Sequence, residues 1–127
     1  MTEREKMLSG QLYDCGDPEL LNQWHDAKDL VRDYNALDSR NAAEKKAILK
    51  QLLGGFGENL WITPPFFVEY GNNIYFGNHC EVKMNCTFLD SGRITIGDHA
   101  SIAPNVQIYT AYHPVSYTHL RAHETAA

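Results

Sequence analysis

Apolar residues recur at every sixth position through the second half of the chain. A first lane of large side chains comprises Tyr70, Phe76, Val82, Phe88, Ile96, Ile102 and Ile108, with one two-residue slip at residues 91–92. A second lane, four residues behind, comprises Val68, Ile74, Cys80, Cys86, Ala100, Val106 and Tyr112. A period of six matches neither the 3.6-residue period of a helix nor the two-residue period of a strand. It predicts a solenoid in which each hexad forms one face of a coil and three hexads close a triangular turn.

The first lane also predicts which residues stack on one another. Three hexads and the two-residue slip place Phe76 on Ile96, Val82 on Ile102 and Phe88 on Ile108. All three pairs are apolar, as the narrow interior of a stacked solenoid requires. The sequence therefore predicts a left-handed parallel β-helix, which is an all-β solenoid.

The first half of the chain carries helix signals instead. Thr2 and Glu5 form a capping box, and Asp17 followed by proline marks the start of a long second helix. A third helix is expected from about residues 38–39 to the glycines at 54–55. The second helix has one apolar face, made of Leu20, Trp24, Ala27, Val31 and Tyr34. Because helices with such faces need cover, we expect both long helices to pack on the first coil of the solenoid.

These patterns divide the chain into three segments. Residues 1–60 form a helical N-terminal leader and residues 61–115 an incomplete β-helix. No hexad continues through residues 116–127, so we interpret this segment as a non-native tail. A solenoid that ends there would leave an unpaired strand edge, which favours association.

Composition and charge limit the size of the core, the kind of partner and the expected cellular location. With 127 residues and 43% hydrophobic content, the chain can form one modest core. A formal net charge of -5 argues against non-specific binding of nucleic acid. There is no apolar run of membrane-spanning length, and the charged N-terminus lacks the apolar stretch of a signal peptide, so a cytoplasmic location is expected. The three cysteines have no metal-binding spacing and are interpreted as packed thiols.

Several runs of residues carry a family resemblance: 5–13, 70–74, 85–90, 96–106 and 113–114. Through them the chain resembles the maltose and galactoside O-acetyltransferases of the hexapeptide-repeat superfamily. The resemblance implies a homotrimer with active sites between neighbouring subunits. It also implies transfer of acetyl from acetyl-coenzyme A (acetyl-CoA) to a sugar hydroxyl, without a metal.

The resemblance assigns the general base to His113. In the family, the histidine before this proline takes the proton of the acceptor hydroxyl as the oxygen attacks the thioester. Imidazole suits this step because its ordinary pKa lies near neutral pH, so that it can accept a proton and return it to the leaving thiolate.

The resemblance also indicates where the oxyanion donor should be. Relatives carry an asparagine where this chain has Lys83. Lys83 could stabilise an oxyanion, or Asn85, two residues further along a strand and on the same side, could replace it. Lys83 could equally be an exposed, outward-facing residue, and these alternatives stay open.

The acceptor sugar is expected to contact polar residues of the leader and of the first coils. The resemblance indicates an aspartate near the end of the first helix, and Asp14 fits better than Asp17, which should cap the second helix. The same alignment gives Glu69, Asp90 and Ser91 sugar-facing positions. Carboxylates accept hydrogen bonds from neighbouring hydroxyls. Maltose, glucose, a galactoside and a lipo-oligosaccharide all remain possible acceptors.

Two other functions are compatible with a hexapeptide solenoid. One is a γ-class carbonic anhydrase, with His79 and His99 stacked across one coil and His113 as a third zinc ligand. The other is a non-catalytic trimeric scaffold, which needs only the inward-facing lanes. Relatives continue for several coils beyond the His-Pro step, and these supply most of the coenzyme groove. We therefore expect the present chain alone to be a poor or inactive enzyme.

Overall fold

The structure, a computed structural model, describes residues 1–110. Three helices come first: α1 (Glu3–Leu8), α2 (Pro18–Ala36) and α3 (Ala42–Leu52). Nine short strands follow: β1 (Gly55–Phe56), β2 (Trp61–Ile62), β3 (Phe66–Val68), β4 (Ile74–Phe76), β5 (Glu81–Val82), β6 (Cys86–Leu89), β7 (Ile94–Ile96), β8 (Ser101–Ile102) and β9 (Gln107–Tyr109). Among these residues no helix is long and apolar enough to cross a membrane. His113 and the predicted tail at 116–127 lie outside the described residues.

The helix starts follow from local hydrogen bonds. Thr2 and Glu5 form the predicted capping box of α1, and the carboxylate of Asp17 accepts hydrogen bonds from the first turn of α2. The third helix begins later than predicted, with Asn41 as its N-cap. Asp38 causes the delay because its side chain accepts a hydrogen bond from the backbone of Arg40 at 2.8 Å, which stabilises a turn in place of a helical start.

The strands form three parallel sheets, one on each face of a triangular coil. The strand orders are β1-β4-β7, β2-β5-β8 and β3-β6-β9. This is the predicted left-handed parallel β-helix. The register pairs Phe76 with Ile96, Val82 with Ile102 and Phe88 with Ile108. All three stacks that the lane spacing predicts are therefore confirmed.

The first coil corrects two assignments to the lanes. Val68 pairs with Phe88, so it belongs to the first lane and not to the second. Tyr70 lies outside both lanes and is buried with Met7 and Leu20 of the helical leader. The corner after β3 is therefore as long as the corner after β6, and the two-residue slip occurs in both coils. The first coil also begins at β1, within the segment that was assigned to the leader.

Helix α2 covers the open edge of the first coil. Strand β3 is an edge strand, and the side chain of Asn35 hydrogen-bonds both the backbone N–H and the carbonyl of Phe66, at 3.0 and 3.1 Å. The hydroxyl of Tyr34 donates to the carbonyl of Ile62 at 2.5 Å, and Lys28 donates to that of Val68 at 2.6 Å. These contacts confirm that α2 packs on the first coil, and they satisfy strand groups that would otherwise lack partners.

Neighbouring coils are joined at one corner by side chains that bond to the coil before. The Asn78 side chain accepts a hydrogen bond from the backbone of Glu58 at 2.8 Å, and the Asp98 carboxylate accepts one from Asn78 at 2.7 Å. Gly77 allows this approach, since a Cβ there would lie 2.8 Å from the backbone nitrogen of Asp98. At the equivalent Gly97, in the next coil, an added Cβ would meet no atom of residues 1–110 within 4 Å.

The two glycines give a matched test of coil stacking. We expect Gly77→Ala to lower the free energy of unfolding by about 2 kcal/mol, because the added methyl group forces Asp98 away. Gly97→Ala should change it by less than about 0.5 kcal/mol. Urea denaturation of the two variants measures both values, and equal losses would contradict this packing.

Candidate active site

The last described residue, Thr110, is hydrogen-bonded to the long corner between β6 and β7. The hydroxyl of Thr110 donates to the carbonyl of Leu89 at 2.7 Å and accepts a hydrogen bond from the backbone of Gly92 at 2.8 Å. These bonds fix the chain three residues before His113. The role of His113 as general base stays a prediction.

Lys83 points outward from the end of β5. Its ammonium lies 2.9 Å from the carboxylate of Glu81, and both side chains are a little over two-fifths exposed. The two residues flank the buried Val82, so they share the outer face of the strand. An exposed ion pair of this kind contributes at most about 1 kcal/mol, so Lys83 can leave Glu81 at little cost.

Asn85 does not share a strand with Lys83. Strand β5 ends at Val82, and Asn85 occupies a turn with φ 61°, in the left-handed region that asparagine tolerates. Its backbone N–H donates to the carbonyl of Pro65 at 2.8 Å, and Asn105 has a similar φ of 64° one coil later. The premise that Asn85 continues the strand of Lys83 is therefore wrong. The turn explains an asparagine here, and its role as oxyanion donor stays a prediction.

Asp90 is a cross-coil anchor buried in the long corner. Its side chain has no exposed surface, and its two oxygens accept hydrogen bonds from the backbone of Tyr70 at 2.8 Å and of Asn73 at 3.1 Å. Burial raises the pKa of the Asp90 carboxyl, although these backbone hydrogen bonds act in the opposite direction. Ser91 is also buried, at 5% exposure. The expected sugar-facing positions of Asp90 and Ser91 are thus corrected, because neither side chain reaches the surface of the described chain.

Glu69 does reach the surface, beside two residues that the sequence did not indicate as part of a site. Lys28 lies 4.0 Å from the Glu69 carboxylate, and its ammonium sits 4.5 Å from the centre of the Trp24 ring. Burial lowers the pKa of Lys28, while the charges of Glu69 and Asp90 oppose this shift. Trp24 and Lys28 are four residues apart on α2, so they lie on one helix face. A carboxylate, an ammonium and an indole side by side suit the polar and apolar faces of a sugar ring.

Asp14 lies in the loop between α1 and α2, and Asp17 lies at the end of this loop, where α2 begins. Asp17 caps α2 as predicted, so its carboxylate is already engaged. Asp14 is exposed, and its side chain accepts a hydrogen bond from the backbone of Gly16 at 2.8 Å. Its neighbour Tyr13 packs on the cluster that contains Tyr70, next to Glu69. The chain thus places Asp14 and Glu69 on either side of one small apolar cluster, and their contact with a sugar stays a prediction.

Two cysteines and two histidines make contacts between coils in the described chain, whereas Cys15 is exposed and is not a packed thiol. Cys80 and Cys86 are buried and free, and their thiols donate to carbonyls of the next coil at 3.2 Å, which fits packed thiols. His79 and His99 stack with ring centres 5.1 Å apart, as predicted, and both have positive φ at one corner. Within residues 1–110 no cluster of three or more His, Cys, Asp or Glu side chains could hold a metal ion.

The buried anchor gives a test of the long corner. We expect Asp90→Asn to lower the free energy of unfolding by about 2 kcal/mol, because an amide group would face a buried backbone donor. Glu69→Gln, at the surface of the corner after β3, should change it by less than about 0.5 kcal/mol. Urea denaturation compares them, and an unaffected Asp90→Asn protein would show that the carboxylate is not an anchor.

Known proteins share the sequence pattern and the architecture of this chain. Residues 6–57 match the family model of the maltose acetyltransferase hexapeptide capping motif. Nodulation protein L of Rhizobium meliloti (strain 1021) is 41% identical over 113 residues, which are 89% of this chain and 62% of that protein.

Two solved structures are similar over the same region. A maltose O-acetyltransferase from Clostridium difficile 630 has a TM-score of 0.86 and 40% identity, covering 91% of this chain and 62% of that one. A hexapeptide-repeat acetyltransferase from Vibrio cholerae O1 biovar eltor, complexed with acetyl-CoA, has a TM-score of 0.78 and 38% identity, covering 92% of this chain and 63% of that one. The present chain thus spans less than two thirds of each relative. The predicted resemblance is confirmed: the chain carries the maltose acetyltransferase hexapeptide capping motif and is similar, over about nine tenths of its length, to hexapeptide-repeat acetyltransferases.

Proposed function

We propose that this protein is an O-acetyltransferase that moves acetyl from acetyl-CoA to a sugar hydroxyl. The observation that carries the proposal is the shared architecture of capping helices and first coils with the Clostridium maltose O-acetyltransferase. The Vibrio relative bound to acetyl-CoA supports the choice of donor. Maltose, glucose and a galactoside are the acceptors to compare.

The proposed reaction needs one base and one oxyanion donor. His113 takes the proton of the acceptor hydroxyl while the oxygen attacks the thioester carbonyl, forming a tetrahedral oxyanion. The oxyanion collapses, the carbon–sulfur bond breaks, and the imidazolium returns its proton to the leaving thiolate. The products are the acetylated sugar and free coenzyme A.

Lys83 is our preferred oxyanion donor. Its ammonium is exposed and held only by Glu81, so it can swing to a developing negative charge. Asn85, held at a corner with positive φ, is the alternative donor.

The assembly we propose is a homotrimer with each active site between two subunits. Phe67 and Met84 support it, because these large apolar side chains are 44% and 41% exposed on the outside of the coils. A neighbouring subunit would cover such residues. A cytoplasmic location is part of the same proposal, because acetyl-CoA is the donor.

The activity is tested by release of coenzyme A thiol with each sugar. Because the chain spans only part of its relatives, we would assay it both alone and as a chimera that continues after Pro114 with the corresponding remainder of the Clostridium enzyme. We expect the chain alone to be weak and the chimera active. His113→Ala should lower the kcat of the chimera at least about a hundredfold, and the wild-type rate should fall as pH drops below about 6.5, where the base becomes protonated.

The same assay separates the alternatives. Lys83→Met should lower kcat about a hundredfold if the ammonium stabilises the oxyanion, and leave it unchanged if Lys83 is only a surface residue. Thiol release that survives His113→Ala would contradict the proposed base, and an inactive chimera that sediments as a trimer would favour the scaffold function.

A further inference from the structure

A groove of about 800 Å³ separates α3 from the first coil. None of its lining residues is one of those proposed for acetyl transfer, although Trp61 pairs with Glu81, the ion-pair partner of Lys83, on the neighbouring strand. Helix α3 contributes three lysines and a leucine to its walls, and the first coil contributes aromatic side chains. The main lining residues are Lys45, Lys46, Leu49, Lys50, Phe56 and Trp61. The groove therefore combines positive charge with an apolar surface.

Lys45 is the unusual member of this set. Its side chain is only 7% exposed, yet its ammonium has a single hydrogen bond, to the carbonyl of Ser39 at 3.3 Å. Among residues 1–110 no carboxylate oxygen lies within 4.0 Å of it. An ammonium has three N–H donors, so Lys45 has donors left for an anion. An anion in the groove would supply the missing partner.

The charge around Lys45 favours the same ligand. Lys46 and Lys50 are exposed on the same helix and line the same groove, whereas Glu58 is the carboxylate among its described lining residues. The chain as a whole carries a net charge of -5. The groove is thus a local positive region on an acidic protein, and it should attract anions and not cations.

Trp61 indicates the rest of the ligand. Its ring is half exposed, with the Lys45 ammonium 5.2 Å from the ring centre. The indole N–H donates to the hydroxyl of Thr63 at 2.9 Å, which fixes the ring in place. A fixed, exposed indole beside Leu49 and Phe56 offers a flat apolar surface to a bound molecule.

We propose that this groove binds a small amphiphilic anion, a phosphate or carboxylate joined to an aromatic or aliphatic body. The anionic group pairs with Lys45, with Lys46 and Lys50 at the rim, and the apolar body packs against Trp61. This is a second ligand site, lined by residues other than those proposed for acetyl transfer, and the proposed reaction does not require it.

The test is a binding titration of the full chain with three probes. Adenosine 5′-monophosphate carries an aromatic body, decanoate an aliphatic one, and inorganic phosphate none. Binding is followed by the fluorescence of Trp61 and by the rise of the melting temperature, since a ligand that binds only the folded state stabilises it. We expect saturable binding of the monophosphate or of decanoate, the stronger of the two identifying the body, with inorganic phosphate at least tenfold weaker.

Variants locate the binding. Lys45→Met keeps the length of the side chain and removes the charge, so it should weaken binding at least tenfold, whereas Lys6→Met on α1 should stay within twofold. Trp61→Phe should abolish the fluorescence change. If Lys45→Met fails to fold, the exposed pair Lys46→Glu and Lys50→Glu should weaken binding in its place. The proposal is overturned if no probe binds, if all three bind equally, or if binding survives the loss of these charges.

Discussion

The contact between α2 and the first coil is the interaction on which the rest of the structure depends. A parallel solenoid must begin with a coil whose strand edge faces away from the stack, and such an edge invites pairing with another chain. Here Asn35 hydrogen-bonds both backbone groups of Phe66, while Tyr34 and Lys28 bond to Ile62 and Val68. Because these residues recur along one face of α2, the helix acts as the partner strand that the first coil lacks.

From this covered end, each later coil is positioned by the one before it. Asp90 accepts a hydrogen bond from the backbone of Tyr70 in the preceding coil, and at the next corner Asp98 accepts one from the backbone of Asn78. The buried thiols of Cys80 and Cys86 donate to carbonyls of the following coil. The corner after β3, which Asp90 anchors from the next coil, holds Glu69 near Lys28 on α2. The charged surface next to the proposed acetyl-transfer site therefore depends on the fit between the helices and the coils.

Much of this fold could be predicted, because stacking leaves a period in the sequence. The three apolar pairs, the two helix caps and the packing of the helices were predicted from spacing and capping residues. Tyr70 was misplaced because it is apolar and lies one period before Phe76, although it packs on the helices. The turn at Asn85 and the burial of Asp90 are not predictable from the sequence, because neither a positive φ nor a hydrogen bond to another coil leaves a local pattern. The sequence offers no signal that Lys28 and Trp24 lie beside Glu69, since only the fold brings them there.

The most direct test of this account is amide hydrogen exchange of the first coil in an Asn35→Ala variant, with Asn22→Ala, at an exposed position of the same helix, as the control. The account predicts that Asn35→Ala lowers the protection of the Phe66 amide at least about tenfold, and that of its neighbours in β3 by less. The reason is that losing the hydrogen bond from Asn35 leaves a buried backbone donor unpaired, which costs about 1 kcal/mol or more. Asn22→Ala should leave the protection unchanged. Equal protection in both variants would contradict the claim that α2 replaces a partner strand and holds the solenoid in place.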